Sequence, residues 1–311
     1  YLHIVERRKN GIVVRGAKTH QTGAVNSHEI IAMPTTALGP GEEDYAISFA
    51  VPADTPGLVY IFGRQTNDSR KIESAMDAGN PRYGAVGGEA LVVFDNVFVP
   101  RERVFMCGEY EFAYPLVEKF AALHRQNYGG CKGGVADVII GAAATLAEYQ
   151  GVSRAAHVRD KLTEMVHLAE TLYCCSIACS SEGSPTPSGS WGVDTTLANI
   201  SKHNVTRFIY EIARLAQDLA GGFMATMPSE RDLRHPEVGE YVQKYLQAAA
   251  GAPAEHRMRM GRLIESLTTG IALVESMHGA GSPQAQRVMI LRQADLESKK
   301  KLALRLARID A

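Results

Sequence analysis

The spacing of apolar positions along the chain changes near residue 107. Before it, apolar residues occur in short runs rich in β-branched and aromatic side chains, which is typical of strands. The predicted strands cover residues 2–7, 11–15, 30–33, 45–51, 58–62 and 90–99. Asn10-Gly11 is a strong hairpin signal, and Gly87-Gly88 marks another connection. Six closely spaced strands with no convincing helix between them predict an antiparallel barrel or sandwich over residues 1–106.

After residue 107 the apolar spacing becomes helical. Val158, Leu162, Met165, Ala169 and Leu172 follow each other by four and three positions and make one apolar stripe. Further helices are predicted over residues 111–126, 134–150, 197–219, 240–249, 255–272 and 284–307, with a Pro- and Ser-rich loop at 184–190. The pattern therefore predicts an α+β chain, in which an antiparallel β domain is followed by a C-terminal α-helical bundle over residues 107–311.

Composition and charge exclude several classes of protein. With 33 Lys and Arg against 34 Asp and Glu, the net charge of −1 gives no case for nucleic acid or an anionic membrane. No run reaches the roughly 18 consecutive apolar residues of a membrane span. Five cysteines in a chain of 311 residues do not indicate a disulfide framework, which favours a cytoplasmic protein. Because Tyr1 opens the chain without Met and inside a predicted strand, we expect a fragment of a longer protein.

The segment from His124 to Lys132 is the most specific candidate for chemistry, with an imidazole, a phenol, a thiol and an amine within nine residues. On a straight helix, His124 and Cys131 share a face but lie about 10 Å apart along the axis. That separation is too large for one metal ion with bonds of about 2.0–2.3 Å. An iron–sulfur cluster is larger, and Gly129-Gly130, where we predict a bend or break of the helix, could close the gap to one. The alternative is a capped helix end with an incidental cysteine.

Other candidates have equally simple structural explanations. Cys175 and Cys179 lie four residues apart and could share a metal, or could both be small buried side chains. The glycines that follow Asp218 could hold a phosphate or a cofactor edge, or could simply cap a helix. Ser282 and Pro283 suit the start of the final helix.

Three polar positions in particular suit a ligand site. His20-Gln21-Thr22 lies where a strand should end, and could either recognise a ring's donors and acceptors or form an ordinary polar loop. Glu89 opens an apolar strand, as a buried acid or a salt-bridge partner. Glu275 precedes the turn before the last helix, as a general base or a solvated carboxylate.

Six strings together carry a family resemblance, and they occur in one order: GIVVRGAKTHQTGAVNSHE, GGEALVVFDNVFVP, HRQNYGGCK, HVRDKLTEMVHLAETLYCC, DLAGGF and ESMHGAGSPQAQR. The chain closely resembles the flavin- and iron–sulfur-containing branch of the 4-hydroxyphenylacetate 3-hydroxylase family. The resemblance implies an acyl-CoA dehydrogenase-like fold without its N-terminal helical domain. It also implies a lyase that dehydrates 4-hydroxybutyryl-CoA to crotonyl-CoA by a radical mechanism, with vinylacetyl-CoA delta-isomerase activity as a further expectation.

The resemblance also implies cofactors and partners. His124 and Cys131 match two ligands of a 4Fe–4S cluster, whose other two ligands in the family are cysteines on an N-terminal segment absent from these 311 residues. FAD is expected near His20, Gln21 and Thr22. A neighbouring subunit of a homotetramer is expected to contribute Asp218, Leu219, Ala220, Gly221 and Gly222.

The residues matching the family's active site are Glu89, Tyr128, Lys132 and Glu275. Glu275 and His124 are the candidates for proton transfer, while Tyr128 and Lys132 would position the oxygens of an acyl-CoA substrate. Two alternatives stand beside this reading. One is a flavin-dependent aromatic monooxygenase of the 4-hydroxyphenylacetate type, which needs no cluster. The other is an inactive, truncated flavin-binding chain.

Overall fold

The computed structural model describes residues 1–63, 89–249 and 251–309. Seven of the strands in these residues form two antiparallel sheets. The first sheet has the order β1 (His3–Arg8), β2 (Gly11–Thr22), β6 (Glu89–Pro100) and β5 (Leu58–Phe62). The second has the order β3 (Glu29–Ala32), β4 (Ile47–Pro52) and β7 (Val104–Cys107). The predicted Gly87-Gly88 connection lies outside the described residues.

The two sheets share one apolar core, as the strand pattern predicts. Inward-facing residues of both sheets belong to the same buried cluster, and the rings of Phe49 and Phe94 meet edge to face with centroids 5.9 Å apart. β2 is longer than predicted and continues through the polar segment up to Thr22, which pairs with Glu89 of β6. Ladder hydrogen bonds are made by the backbone, so polar side chains do not end the strand. This register places Thr22 beside Glu89.

Three long helices build the second part: α1 (Ala113–Tyr149), α2 (Ala156–Ser181) and α3 (Thr195–Ala220). The apolar stripe predicted from Val158 to Leu172 faces the core that these helices share. The predicted loop over residues 184–190 begins with strand β8 (Ser184–Pro185), which forms a short hairpin with β9 (Trp191–Gly192) directly after the loop. The shorter helices are α4 (Phe223–Thr226), α5 (Glu230–Leu233), α6 (Gly239–Leu246), α7 (Ala254–Thr268), α8 (Ile271–His278), α9 (Pro283–Gln293) and α10 (Leu296–Ala307).

The predicted break at Gly129-Gly130 is wrong, because α1 runs without interruption from Ala113 to Tyr149. A Cβ on Gly129 would lie 2.7 Å from Ser201 Oγ of α3 and 2.8 Å from Ser176 Cβ of α2. The glycine therefore serves close packing of three helices. Burial on both sides favours a continuous helix over the break that glycine alone would permit.

Two long predicted helices are each divided in the structure. The helix predicted over 255–272 is interrupted at Gly270, whose positive φ of 59° separates α7 from α8. The helix predicted over 284–307 is interrupted before Asp295, whose side chain accepts a hydrogen bond from Ser298 N at 2.9 Å and starts α10. The first interruption makes the segment that carries Glu275 a separate short helix, α8.

By length and hydropathy alone, the helical segment Tyr110–Tyr149 is long and apolar enough to cross a membrane. In the fold it is the central helix of the bundle and contacts α2, α3 and α7. The core helix of a bundle and a membrane span have the same composition for the same reason, since both exclude water from an apolar surface.

Candidate active site

A carboxylate-centred cluster lies where α1 meets α8. The hydroxyl of Tyr128 donates to one carboxylate oxygen of Glu275, and the ammonium of Lys132 donates to the other. Tyr128 and Lys132 are four residues apart and so share one face of α1. Both are buried, and only 21% of the Glu275 side chain is exposed. Two donors in a water-poor site hold this carboxylate in one orientation.

His124 lies one turn before Tyr128 on the same face of α1. Their ring centroids are 5.3 Å apart, and the Phe120 ring covers His124 from the other side at the same distance. Burial lowers the pKa of His124 below its usual range, although Glu275 acts in the opposite direction. His124 is therefore neutral near pH 7, with a ring nitrogen able to accept a proton or bind a metal.

The phenol of Tyr128 stays protonated. Burial, together with the hydrogen bond to Glu275, raises its pKa well above the ordinary value. The backbone of Gly279 packs directly against the hydroxyl, and a Cβ at this position would overlap the phenol oxygen. The glycine in the turn after α8 is thus needed for Tyr128 to reach Glu275.

Two buried cations that sequence reasoning did not single out complete the cluster. Lys202 of α3 has no exposed surface, and Arg125 of α1 is 9% exposed. Arg125 Nε donates to Ala280 O at 3.0 Å, and its Nη1 donates to Asn199 Oδ1 at 2.8 Å. With Lys132, the site holds three cations around the carboxylate of Glu275, so it favours negative charge on a bound molecule.

Both cations left a signal in the sequence. Arg125 follows His124 within the most specific segment. Lys202 lies three or four positions from Ala198, Val205 and Thr206, so the helical period itself places it on the buried face of α3. A lysine on such a face is rare, which makes it a functional candidate.

Glu89 joins the cluster from the β domain. Thr22 Oγ1 donates to Glu89 Oε1 at 2.6 Å, and the charge of Glu89 contributes to the raised pKa of Tyr128. His20 is exposed and has a positive φ of 61°, and Gln21 Nε2 donates to Thr19 O at 2.7 Å. The predicted flavin-side residues at the end of β2 therefore lie on the side of the site that faces the β domain.

The segment from Asp218 to Gly222 lies elsewhere. It ends α3, about 24 Å along the helix from Lys202 at 1.5 Å per residue. Leu219 and Ala220 are buried in the bundle core, while Asp218 pairs with Lys161 at 2.7 Å. Gly221 caps the helix and, like Gly222, is exposed, and a Cβ on either would meet nothing within 4 Å. This segment does not meet the Glu275 cluster within one chain.

The thiols fall into two groups. Cys131 is exposed on α1, seven residues after His124, so the two remain about 10 Å apart along the straight helix. Cys179 is buried, its Sγ donates to Cys175 O at 3.0 Å, and burial raises its pKa to about 11. The structure thus favours the packing interpretation for Cys175 and Cys179. Within the described ranges, no group of three or more His, Cys, Asp or Glu side chains could hold a metal ion.

The fold, together with the buried cluster of Glu275, Tyr128 and Lys132, indicates the structural class to which this chain is similar. The structure matches the acyl-CoA dehydrogenase from Geobacillus kaustophilus with a TM-score of 0.57 at 18% identity, covering 93% of this chain and 63% of that one. This likeness confirms the predicted acyl-CoA dehydrogenase-like fold.

The chain belongs to the 4-hydroxyphenylacetate 3-hydroxylase family. The family model described as 4-hydroxyphenylacetate 3-hydroxylase N terminal matches residues 1–106, and the one described as C terminal matches residues 113–308. The resemblance seen in the sequence is therefore confirmed.

Three similar proteins represent both activities of this family. The chain is 55% identical to 4-hydroxybutyryl-CoA dehydratase/vinylacetyl-CoA-Delta-isomerase from Clostridium aminobutyricum, over 99% of this chain and 66% of that protein. It matches the oxygen-tolerant archaeal 4-hydroxybutyryl-CoA dehydratase from N. maritimus with a TM-score of 0.95 and 50% identity, over 100% and 63%. The third is the oxygenase component of 4-hydroxyphenylacetate 3-monooxygenase, solved with FAD and 4-hydroxyphenylacetate. It matches with a TM-score of 0.85 and 26% identity, over 99% of this chain and 64% of that one. The chain thus spans slightly less than two thirds of these relatives.

Proposed function

We propose that the protein is an FAD-dependent hydro-lyase that converts 4-hydroxybutyryl-CoA to crotonyl-CoA. The observation that carries the proposal is the Glu275 carboxylate, held by Tyr128 and Lys132 in a chain 55% identical to a dehydratase. The monooxygenase alternative has weaker support, since the solved oxygenase is 26% identical. We extend the proposal to vinylacetyl-CoA isomerisation, because that reaction also removes a proton from C2 and adds one to C4.

The dehydration changes three carbon atoms of the substrate. C2 and C3 each lose a hydrogen, C4 loses its hydroxyl group, and one proton returns to C4, so that the net loss is one water. The C2 proton is the more acidic because it lies next to the thioester carbonyl. The C3 hydrogen is unactivated and is the difficult one.

The Glu275 carboxylate accepts the C2 proton in this scheme. The hydrogen bonds from Tyr128 and Lys132 hold it in one orientation, and the cations of Arg125, Lys132 and Lys202 stabilise negative charge that develops on the thioester oxygen. His124, neutral because burial lowers its pKa, has one ring nitrogen able to accept the C3 proton. It would do so only while that nitrogen is not bound to the cluster proposed below. The protein thereby supplies two bases of different strength on neighbouring helices.

FAD is proposed to bind at the end of β2. The exposed side chains of His20 and Thr22, with the amide of Gln21, offer the donors and acceptors that a flavin ring needs. Gly221 and Gly222, with open space in front of them, are proposed to contact the cofactor of a neighbouring subunit in a homotetramer. When bound, FAD would supply a reversible one-electron oxidation that makes the C3 hydrogen acidic and, because the electron is returned, leaves the dehydration redox neutral.

We further propose that His124 and Cys131 are two ligands of a 4Fe–4S cluster. Imidazole nitrogen and thiolate sulfur are both donors that such clusters use. The two residues share one face of α1 but lie about 10 Å apart along this straight helix, so the donor chemistry and the family resemblance support the proposal, and a convergence of the two side chains does not. A cluster takes four ligands, so the residues that the structure describes provide half of the set. The other two would come from outside them. The cluster would supply Lewis acidity toward the leaving hydroxyl group.

The proposal is tested by incubating the complete, cofactor-loaded enzyme with 4-hydroxybutyryl-CoA without oxygen and separating the CoA esters. The expected product is crotonyl-CoA. A second sample receives 4-hydroxyphenylacetate, reduced flavin and oxygen. Hydroxylation of the aromatic ring, with no crotonyl-CoA in the first sample, would replace the dehydratase by the monooxygenase.

A further inference from the structure

Lys202 is a buried cation that the proposed chemistry uses only through its charge. Its ammonium donates to Ser276 O at 2.6 Å and to Met277 O at 3.2 Å. These carbonyls belong to the last turn of α8, directly after Glu275. The end of a helix carries partial negative charge, so a cation there is stabilised. Among the described residues no carboxylate hydrogen-bonds to Lys202, and the hydrogen bonds of its ammonium go to backbone carbonyls.

Lys202 also reaches the site through Tyr128. Its Nζ lies 4.5 Å from the centroid of the Tyr128 ring. The hydroxyl of this same ring donates to Glu275. A cation over the face of an aromatic ring is attracted by it, most strongly when water is excluded. Lys202 therefore contacts both the turn that carries Glu275 and the side chain that orients it.

The charges around Lys202 oppose one another. Glu275 on α8 favours the protonated amine, whereas Lys132 and Arg125 on α1 disfavour it. Burial is the strongest influence, and together these effects lower the pKa of Lys202 to about 7. Its charge therefore changes near neutral pH, the range in which a general base such as Glu275 must work.

We infer that Lys202 is a positioning residue: it fixes the last turn of α8 and the ring of Tyr128, and through both of them the orientation of Glu275. The effect on turnover rests on the proposed function, because it assumes that Glu275 is the base. The effect on stability does not.

Thermal unfolding tests the buried amine without any substrate. The pKa of Lys202 is lowered in the folded state, so between about pH 7 and 10.5 the unfolded chain binds more protons and the stability contributed by this group rises with pH. Lys202→Met removes that contribution. The melting temperature of Lys202→Met minus that of the parent should be highest at pH 6–7 and should fall steadily toward pH 9.5. Arg207→Met, which removes an exposed cation from the same helix, should show a constant difference.

Deuterium exchange into C2 of an acyl-CoA substrate tests the positioning. Without the contacts of Lys202 to the last turn of α8 and to the Tyr128 ring, Glu275 is held less firmly, so Lys202→Met should exchange the C2 proton about tenfold more slowly. The loss should appear in kcat, with KM changed less than about twofold. The parent should also show a change of rate near pH 7, where Lys202 loses its proton, and Lys202→Met should lack it. Lys202→Arg keeps a cation that cannot lose its proton, so it should lack that change as well but keep most of the parent rate.

The results separate the two proposals. If the parent enzyme does not exchange the C2 proton, the proposed function fails, and the unfolding comparison still decides whether Lys202 titrates inside the fold. If the parent exchanges and Lys202→Met and Lys202→Arg keep its profile, Lys202 is structural and the inference is wrong. Should Lys202→Met not fold, the Lys202→Arg profile decides alone.

Discussion

At the scale of single residues, Glu275 is defined by the two donors that face it. Replacing it with Gln keeps its size but leaves an amide that cannot accept the C2 proton and presents an NH₂ group to Tyr128 or Lys132. We expect Glu275→Gln to slow exchange at C2 by about a hundredfold or more, the usual worth of a general base. Solvent deuterium exchange followed by mass spectrometry measures this.

Glu170→Gln, on the exposed face of α2, is the matched control for that variant and should exchange at the parent rate. Flavin and iron contents are measured first, so that a lost cofactor is not mistaken for a lost base. Exchange at the parent rate in Glu275→Gln would remove this residue from proton transfer and leave it an ion-pair partner of Lys132.

Which residues meet could be predicted only in part. His124, Tyr128 and Lys132 are three or four positions apart in one segment, so a helix brings them together automatically. Their meeting with Glu275 spans more than 140 residues, and the family resemblance implied it where spacing did not. The period of α3 places Lys202 on a buried face, so the sequence does carry a signal for it. The partners of its ammonium, two carbonyls of α8 and the ring of Tyr128, are distant along the chain, and only the fold shows them.

At the scale of elements, Gly129 and Gly130 are adjacent on α1 but do different things. A Cβ on Gly129 would lie 2.7 Å from Ser201 Oγ, whereas on Gly130 it would lie 4.0 Å from Ser176 Oγ. We expect Gly129→Ala to lower the free energy of unfolding by about 1–3 kcal/mol through overpacking. Gly130→Ala should raise it by about 0.5–1 kcal/mol, because alanine is the better helix former.

Denaturant unfolding of the two variants checks this pair. Equal effects would contradict the packing explanation and favour a shared conformational role for the glycines. The sequence predicted a break here because two glycines weaken an isolated helix. The packing of α1 between α2 and α3 overrides that local preference, and it cannot be read from the period of one helix. Strand β7 was missed for a similar reason, since its four residues gain a partner only through β4.

At the scale of the whole molecule, the two proposed cluster ligands lie on one helix, and the other two ligands that a cluster needs would come from outside the described residues. In the complete protein, His124→Ala and Cys131→Ser should each lose most of the bound iron, because each removes one ligand of four. Cys174→Ser, which removes another exposed thiol, should keep it. Iron and sulfide analysis of protein prepared without oxygen measures the loss. Full iron in both ligand variants would contradict the assignment.

Flavin binding is expected to depend on two distant places. Thr22 lies beside Glu89, whereas Gly222 lies beyond the far end of α3, so one chain alone does not bring them together. The double variant Thr22→Val, Gly222→Val should bind FAD at least about tenfold more weakly, through a lost hydrogen bond and a filled contact surface. Flavin absorbance after gel filtration measures retention, with exposed Thr163→Val on α2 as the control. Unchanged retention would remove both places from the cofactor site.

The continuity of α1 has a consequence for motion. An imidazole, a phenol, a thiol and an amine lie on one continuous helix, so the distances between them stay fixed when the helices of the bundle move. Structural changes during turnover are then confined to the short α8 and the turns around it, which contact α1 through side chains. Amide hydrogens between residues 120 and 135 should consequently be among the slowest to exchange with solvent, and those of residues 270–282 should exchange faster. The rigid α1 keeps the geometry of one side of the site, and the more flexible α8 adjusts the other.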